Sequence, residues 1–160
     1  MKKFMWIIGI LVLIVIIFIV VSNLNKYYVK NYFAVIGLPG SHLYSDVKSV
    51  YGEPKNIIPG GDDSYVTVQY DGIDFMLMAI RDNPIDGDLA CSALVSSPEF
   101  RFGKDKIGVG STREEIEKTY MKFKRIKEAD CGFIDGLTWI EFCFDENDQV
   151  NKIAITPNGP

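Results

Sequence analysis

Histidine occurs once in this sequence and cysteine three times, and neither residue appears in a spacing that metal or redox chemistry uses. Cys91, Cys131 and Cys143 form no close C-x-x-C pair, and His42 alone cannot complete a zinc site. The serines Ser41, Ser45, Ser96 and Ser97 lie in no G-x-S-x-G elbow, and the chain has neither a P-loop nor a dinucleotide fingerprint. Acidic residues gather at Asp82–Asp88 (DNPIDGD) and Asp145–Asp148 (DEND), but the glycine at the sixth position and the glutamate at the twelfth that a calcium loop needs are missing, so both read as solvated turns. Catalytic residues, metals and cofactors are therefore not expected. An excess of positive charge is absent too. Lys2 and Lys3 are the only charges before residue 22, which leaves fifteen basic against 21 acidic side chains beyond it, a net charge of −6. That balance argues against nucleic acid as a partner.

What the sequence does have is a long uncharged run. Phe4 to Val21 is eighteen residues without a charge, and as a helix it would cover about 27 Å, close to the thickness of a hydrocarbon core. No small-residue cleavage site ends it, and no cysteine follows it for lipid attachment. The expectation is a single-pass signal anchor. Residues 1–3 would stay in the cytoplasm, residues 4–21 would form the transmembrane helix, and residues 22–35 would be a juxtamembrane linker, with Tyr27, Tyr28, Tyr32 and Phe33 favouring the headgroup zone. Residues 36–160 would be an extracytoplasmic domain at the cell membrane.

Self-similarity organises that domain. Ser41–Tyr51 lies over Gly110–Tyr120, Asp71–Phe75 over Asp135–Trp139, and Ala93–Pro98 over Lys152–Pro157, in the same order. The expected fold class is α+β: the N-terminal transmembrane helix followed by two tandem units of short helix plus antiparallel sheet, at about 36–98 and 107–157. The first helix should run from about Leu43 to Tyr51, with Gly52 and Pro54 ending it. The second should open on a capping box at Ser111 and Glu114 and reach about Tyr120. Asp71-Gly72 and Asp135-Gly136 are hairpin dipeptides, and the strands after them alternate. Taking Met76, Met78 and Ile80, with Ile140, Phe142 and Phe144, as the core face leaves Phe75, Leu77, Trp139 and Glu141 on an open face. Those four are the candidate binding residues.

The helix end Tyr51-Gly52-Glu53-Pro54 and the helix start Gly108-Val109-Gly110-Ser111-Thr112, within this tandem arrangement, resemble the beta-lactamase inhibitory protein fold. A single unit is similar to the small outer-membrane assembly lipoproteins. The resemblance covers roughly Ile36 to Pro157, although the second helix ends at Tyr120-Met121-Lys122 without the glycine and proline of the first. It implies a binding module that grips a protein with its sheet and performs no catalysis.

The function expected is thus a membrane-anchored, non-catalytic module that binds a protein or cell-envelope component, with acidic side chains favouring basic partners. A small envelope hydrolase using His42, four residues before Asp46, is one alternative. A structural subunit that associates with itself is another. In an oxidising exterior two alternatives stand: two of Cys91, Cys131 and Cys143 pair as a disulfide, with the spacing not choosing which, or all three remain thiols as small apolar residues.

Overall fold

The computed structural model describes residues 32–38, 42–61, 64–103, 105–127, 129–135 and 138–157. Helix α1 (Tyr44–Tyr51) leads into strands β1 (Asn56–Pro59), β2 (Tyr65–Tyr70), β3 (Ile73–Met78) and β4 (Leu89–Val95). A small ribbon of β5 (Arg101–Phe102) and β6 (Ile107–Gly108) follows. Helix α2 (Arg113–Tyr120) then leads into β7 (Lys124–Ile126), β8 (Gly132–Asp135), β9 (Thr138–Phe144) and β10 (Val150–Pro157). The long strands form one antiparallel sheet in the order β1-β2-β3-β4-β10-β9-β8-β7. Each half is a helix followed by a four-stranded meander. The last strands of the two meanders join them, with Leu94 opposite Ala154.

This corrects the expected α+β architecture. The molecule is dominated by a single eight-stranded sheet, not by two units with a sheet each, and the labelled helices are only eight residues long. Two separate four-stranded sheets would expose the backbone groups of β4 and β10 as edges; pairing those strands removes both edges at once. The expected transmembrane helix at residues 4–21 lies outside the described residues, and among the described residues no helix is long and apolar enough to cross a membrane. Tyr32 and Phe33, expected beside the headgroups, are instead buried in the domain core together with Ile36.

The remaining edges are managed by their sequence. Gly60 N donates to Tyr65 O at 2.7 Å. By the alternation of an antiparallel ladder, Asn56 and Ile58 then turn their backbone groups toward β2, while Ile57 and Pro59 turn theirs outward. Proline thus occupies a position where its missing N–H would face away from the sheet, which discourages another strand from pairing there. At the opposite edge β7 is three residues long and carries Lys124 and Arg125.

Both helices lie on one face of the sheet. Helix α1 buries Tyr44 and Val47, and α2 buries Ile116 and Tyr120. Beneath them run Val66, Val68, Phe75, Val95, Ile140, Phe142, Ile153 and Ile155. The N-terminus of each helix is clipped to the acidic turn that precedes its unit's last strand. Tyr44 N donates to Asp88 O and Ser45 N to Asp86 O, while Arg113 N donates to Asp148 O. The turns therefore do more than face solvent, since they satisfy helix donors that have no partner inside the helix.

Candidate functional site

Strand register decides which side chains share the helix-free face. Residues directly opposite one another point the same way, so one row crosses the whole sheet as Asn56, Gln69, Asp74, Leu94, Ala154, Glu141, Gly132 and Ile126. A neighbouring row carries Ile58, Thr67, Met76 and Ser92 on one half and Thr156, Trp139, Ile134 and Lys124 on the other. Asp74 and Glu141 hold equivalent positions on either side of the central Leu94–Ala154 pair. Three strand spacings, about 14 Å, separate them.

Of the four candidate binding residues, Trp139 and Glu141 lie on this open face. Phe75 and Leu77 do not: both are 0% exposed in the core. In β3 the expected faces are exchanged. Met76 is 40% and Met78 52% exposed on the open side, while Phe75 lies opposite Val68 and Leu77 opposite Val66 under the helices. In β9 the alternation stands as read for Ile140 and Phe142, which are buried. Sequence reasoning missed Asp74, Met76, Leu94, Ala154 and Thr156 as open-face residues. The hairpin at Asp71-Gly72 carried the missing signal, because it pairs Gln69 with Asp74 and so puts Asp74 on the polar side.

The second half of this face contains a cleft of about 150 Å³ lined by Ile126, Ala129, Trp139, Glu141, Ala154 and Thr156. Glu141 and Trp139 come from alternate positions of β9, Ala154 and Thr156 from the paired strand β10, and Ile126 from the edge. Among the described residues Glu141 makes no ion pair, although Lys152 is its diagonal neighbour across the strand pair. Asp74 differs, since Gln69 Nε2 donates to its Oδ2 at 3.3 Å. A larger cleft of about 230 Å³ lies between the end of α2 and strands β7 and β8, lined by Glu117, Tyr120, Met121, Phe123, Arg125 and Phe133. There the charges already satisfy each other, with Arg125 Nη2 donating to Glu117 Oε1 at 3.0 Å.

His42 does not stand in a solvent-facing pair. Its ring lies 4.3 Å from that of Phe33, and its carbonyl accepts from Ala90 N at 2.6 Å. Asp46 Oδ2 is buried with no hydrogen-bond partner among the described residues, so that oxygen does not orient the imidazole as a general base pair would require.

All three cysteines are thiols. Burial pushes each of them up, helped at Cys143 by the Glu141 carboxylate and opposed at Cys131 by Arg113 and Arg125. Such shifts reduce the thiolate fraction that a nucleophile or metal ligand needs. No group of His, Cys, Asp and Glu among the described residues is arranged to hold a metal ion.

No family model and no curated protein matches the chain. Solved structures do. The fold is similar to part of an extracellular protein containing an SCP domain from Bacillus anthracis, with TM-score 0.55, 13% identity, and 74% of this chain aligned to 44% of that one. A DUF4309 family protein from Bacillus subtilis aligns with TM-score 0.45 and 16% identity over 82% of this chain and 97% of its own. A cysteine-rich secretory protein from Staphylococcus aureus aligns with TM-score 0.47 and 8% identity over 73% of this chain and 44% of its own. The chain spans less than half the length of the Bacillus anthracis protein, and at this identity the likeness is one of fold.

Proposed function

We propose that this chain is a non-catalytic binding module that docks a protein against the open face of its sheet, outside the cytoplasm. The observation that carries the reading is the face itself. Exposed Ile58, Met76, Met78 and Leu89 share it with the Trp139 cleft, and neither helix covers it. Apolar side chains grouped in this way mark interaction surfaces more often than isolated ones do. Methionines suit such a role because their flexible thioethers adapt to a partner's shape. The sequence resemblance to the beta-lactamase inhibitory protein points in the same direction. The localisation rests on the uncharged run at residues 4–21, and the Bacillus anthracis protein of similar fold is described as extracellular.

A photoreactive residue replacing Met76 in the full chain, in its native membrane, tests this against a control at Lys118, exposed on α2 on the opposite side. The expected result is a discrete protein adduct from position 76 and none from 118. An adduct between two copies would make self-association the use of the face. Equal labelling from both positions, or none from 76, overturns the docking reading.

A further inference from the structure

We propose that the Trp139–Glu141 cleft is a pocket for a single arginine side chain presented by the docked protein; the inference rests on the docking reading above and names the chemistry that the face selects. Its size suits a single side chain. At about 150 Å³ the cleft is smaller than the roughly 300 to 1,000 Å³ of pockets that take drug-sized ligands.

The lining then selects the charge. Glu141 places a carboxylate among Ile126, Ala129, Trp139 and Ala154 without an ion pair among the described residues. An anion would be repelled. A neutral apolar side chain would cover the carboxylate and remove its water without replacing the lost hydrogen bonds, which is costly. A metal ion would find only one carboxylate in the lining, short of the oxygen set a hard cation takes. A long cationic side chain answers every part of the cleft: its methylenes cover Ile126, Ala129 and Ala154, and its charge reaches Glu141.

Arginine fits better than lysine for a geometric reason. Its planar guanidinium stacks on an indole while presenting a fork of donors to a carboxylate, whereas an ammonium is a strongly hydrated point charge. Trp139 and Glu141 are two residues apart on β9 and project from the same face, which supplies the ring and the carboxylate side by side. Thr156, directly opposite Trp139 on β10, adds a hydroxyl acceptor. The same protein already uses such a combination within its fold, where Arg113 lies 4.0 Å over the Phe144 ring and bonds to Asp130 and Asp148. The first half of the sheet offers different chemistry: Met76, not an indole, lies in the row of Trp139, and Asp74 is held by Gln69. That difference places the cation on the second half.

The test is an NMR titration of the full chain in detergent micelles, following the Trp139 indole N–H, assigned by its loss in Trp139→Phe. The probes are N-acetyl-arginine methylamide, its lysine counterpart and N-acetyl-norleucine methylamide. Expected is a saturable shift with the arginine probe, at least threefold weaker binding of the lysine probe, and no saturable shift with norleucine. Glu141→Gln should weaken the arginine probe at least fivefold, whereas Glu146→Gln, in the exposed turn after β9, should leave it unchanged. Equal affinity in Glu141→Gln, or preference for norleucine, overturns the proposal. If the arginine probe fails while position 76 still yields its adduct, the cationic pocket falls and the docking reading stands. If the adduct is absent as well, both fall.

Discussion

Gly72 shows how much a single residue of this sheet is constrained. It has φ +72°, a conformation that costs an L residue about 1 to 2 kcal/mol, and a Cβ placed there would lie 2.5 Å from Ser97 Cβ. The crowding arises because Gly72 O accepts from both Ser96 N and Ser97 N, which draws the chain after β4 onto the hairpin. Gly103 has a similar φ of +65° but open space around its missing Cβ. Gly103→Ala should therefore cost about 1 kcal/mol, from the backbone alone. Gly72→Ala should cost roughly 3 kcal/mol once the forced displacement is added. Urea unfolding of the two variants checks the order, and equal midpoints would refute it. Much of this was legible in the sequence, because Asp-Gly between alternating runs names a two-residue hairpin. The contact with Ser97 was not. It depends on a segment more than twenty residues away, and no local pattern reports it.

At the scale of elements, the second helix shows where sequence reading stops. The expected capping box is Ser111 with Glu114, but Thr112 stands in the same relation to Glu115 one residue later. The structure uses the later one: Thr112 Oγ1 accepts from Glu115 N at 3.3 Å, and Glu115 Oε2 accepts from Thr112 N at 2.8 Å. Ser111 has another task, accepting from Gly108 N at 3.1 Å while its carbonyl takes Val150 N. Tertiary pairing with the end of the β9–β10 turn, through Thr112 and Gln149, selects between the boxes. Thr112→Ala and Ser111→Ala should each cost about 1 kcal/mol. Amide exchange separates them, rising at Glu115 in the first variant and at Gly108 in the second. Faster exchange at the same amide in both would contradict this division. Strand β3 failed for a related reason. Its two faces, Phe75 and Leu77 against Met76 and Met78, are both apolar, so alternation alone leaves the phase undetermined. In β9 Glu141 marks the outer face. Asp74 does the same for β3 once hairpin register pairs it with Gln69, and that pairing is the physical reason the candidate site was only half legible.

For the whole molecule, the decisive feature is the ladder between β4 and β10. Ala93, Leu94 and Val95 pair with Ile155, Ala154 and Ile153, so the two halves share one sheet, and their buried residues belong to one core cluster. The repeat in the sequence does not disclose this, because it describes each half and is silent on how the last strands meet. Shared burial predicts shared stability. If either half opened alone, it would expose the ladder of the other as an unpaired edge and uncover Val95 or Ile153 to water. Phe75→Ala removes a fully buried ring from the first half and should destabilise the chain by about 3 to 5 kcal/mol. Because the halves open together, hydrogen exchange should accelerate in β9 by the same factor as in β2, although no residue of β9 pairs with β3. Acceleration confined to β1–β4 would mean two separately folding units on a common sheet. In that case a partner gripping the Trp139 half could bind without ordering the other. If the factors are equal, occupying the cleft in one half must stabilise both, and a ligand held at Glu141 should slow exchange across the full width of the sheet.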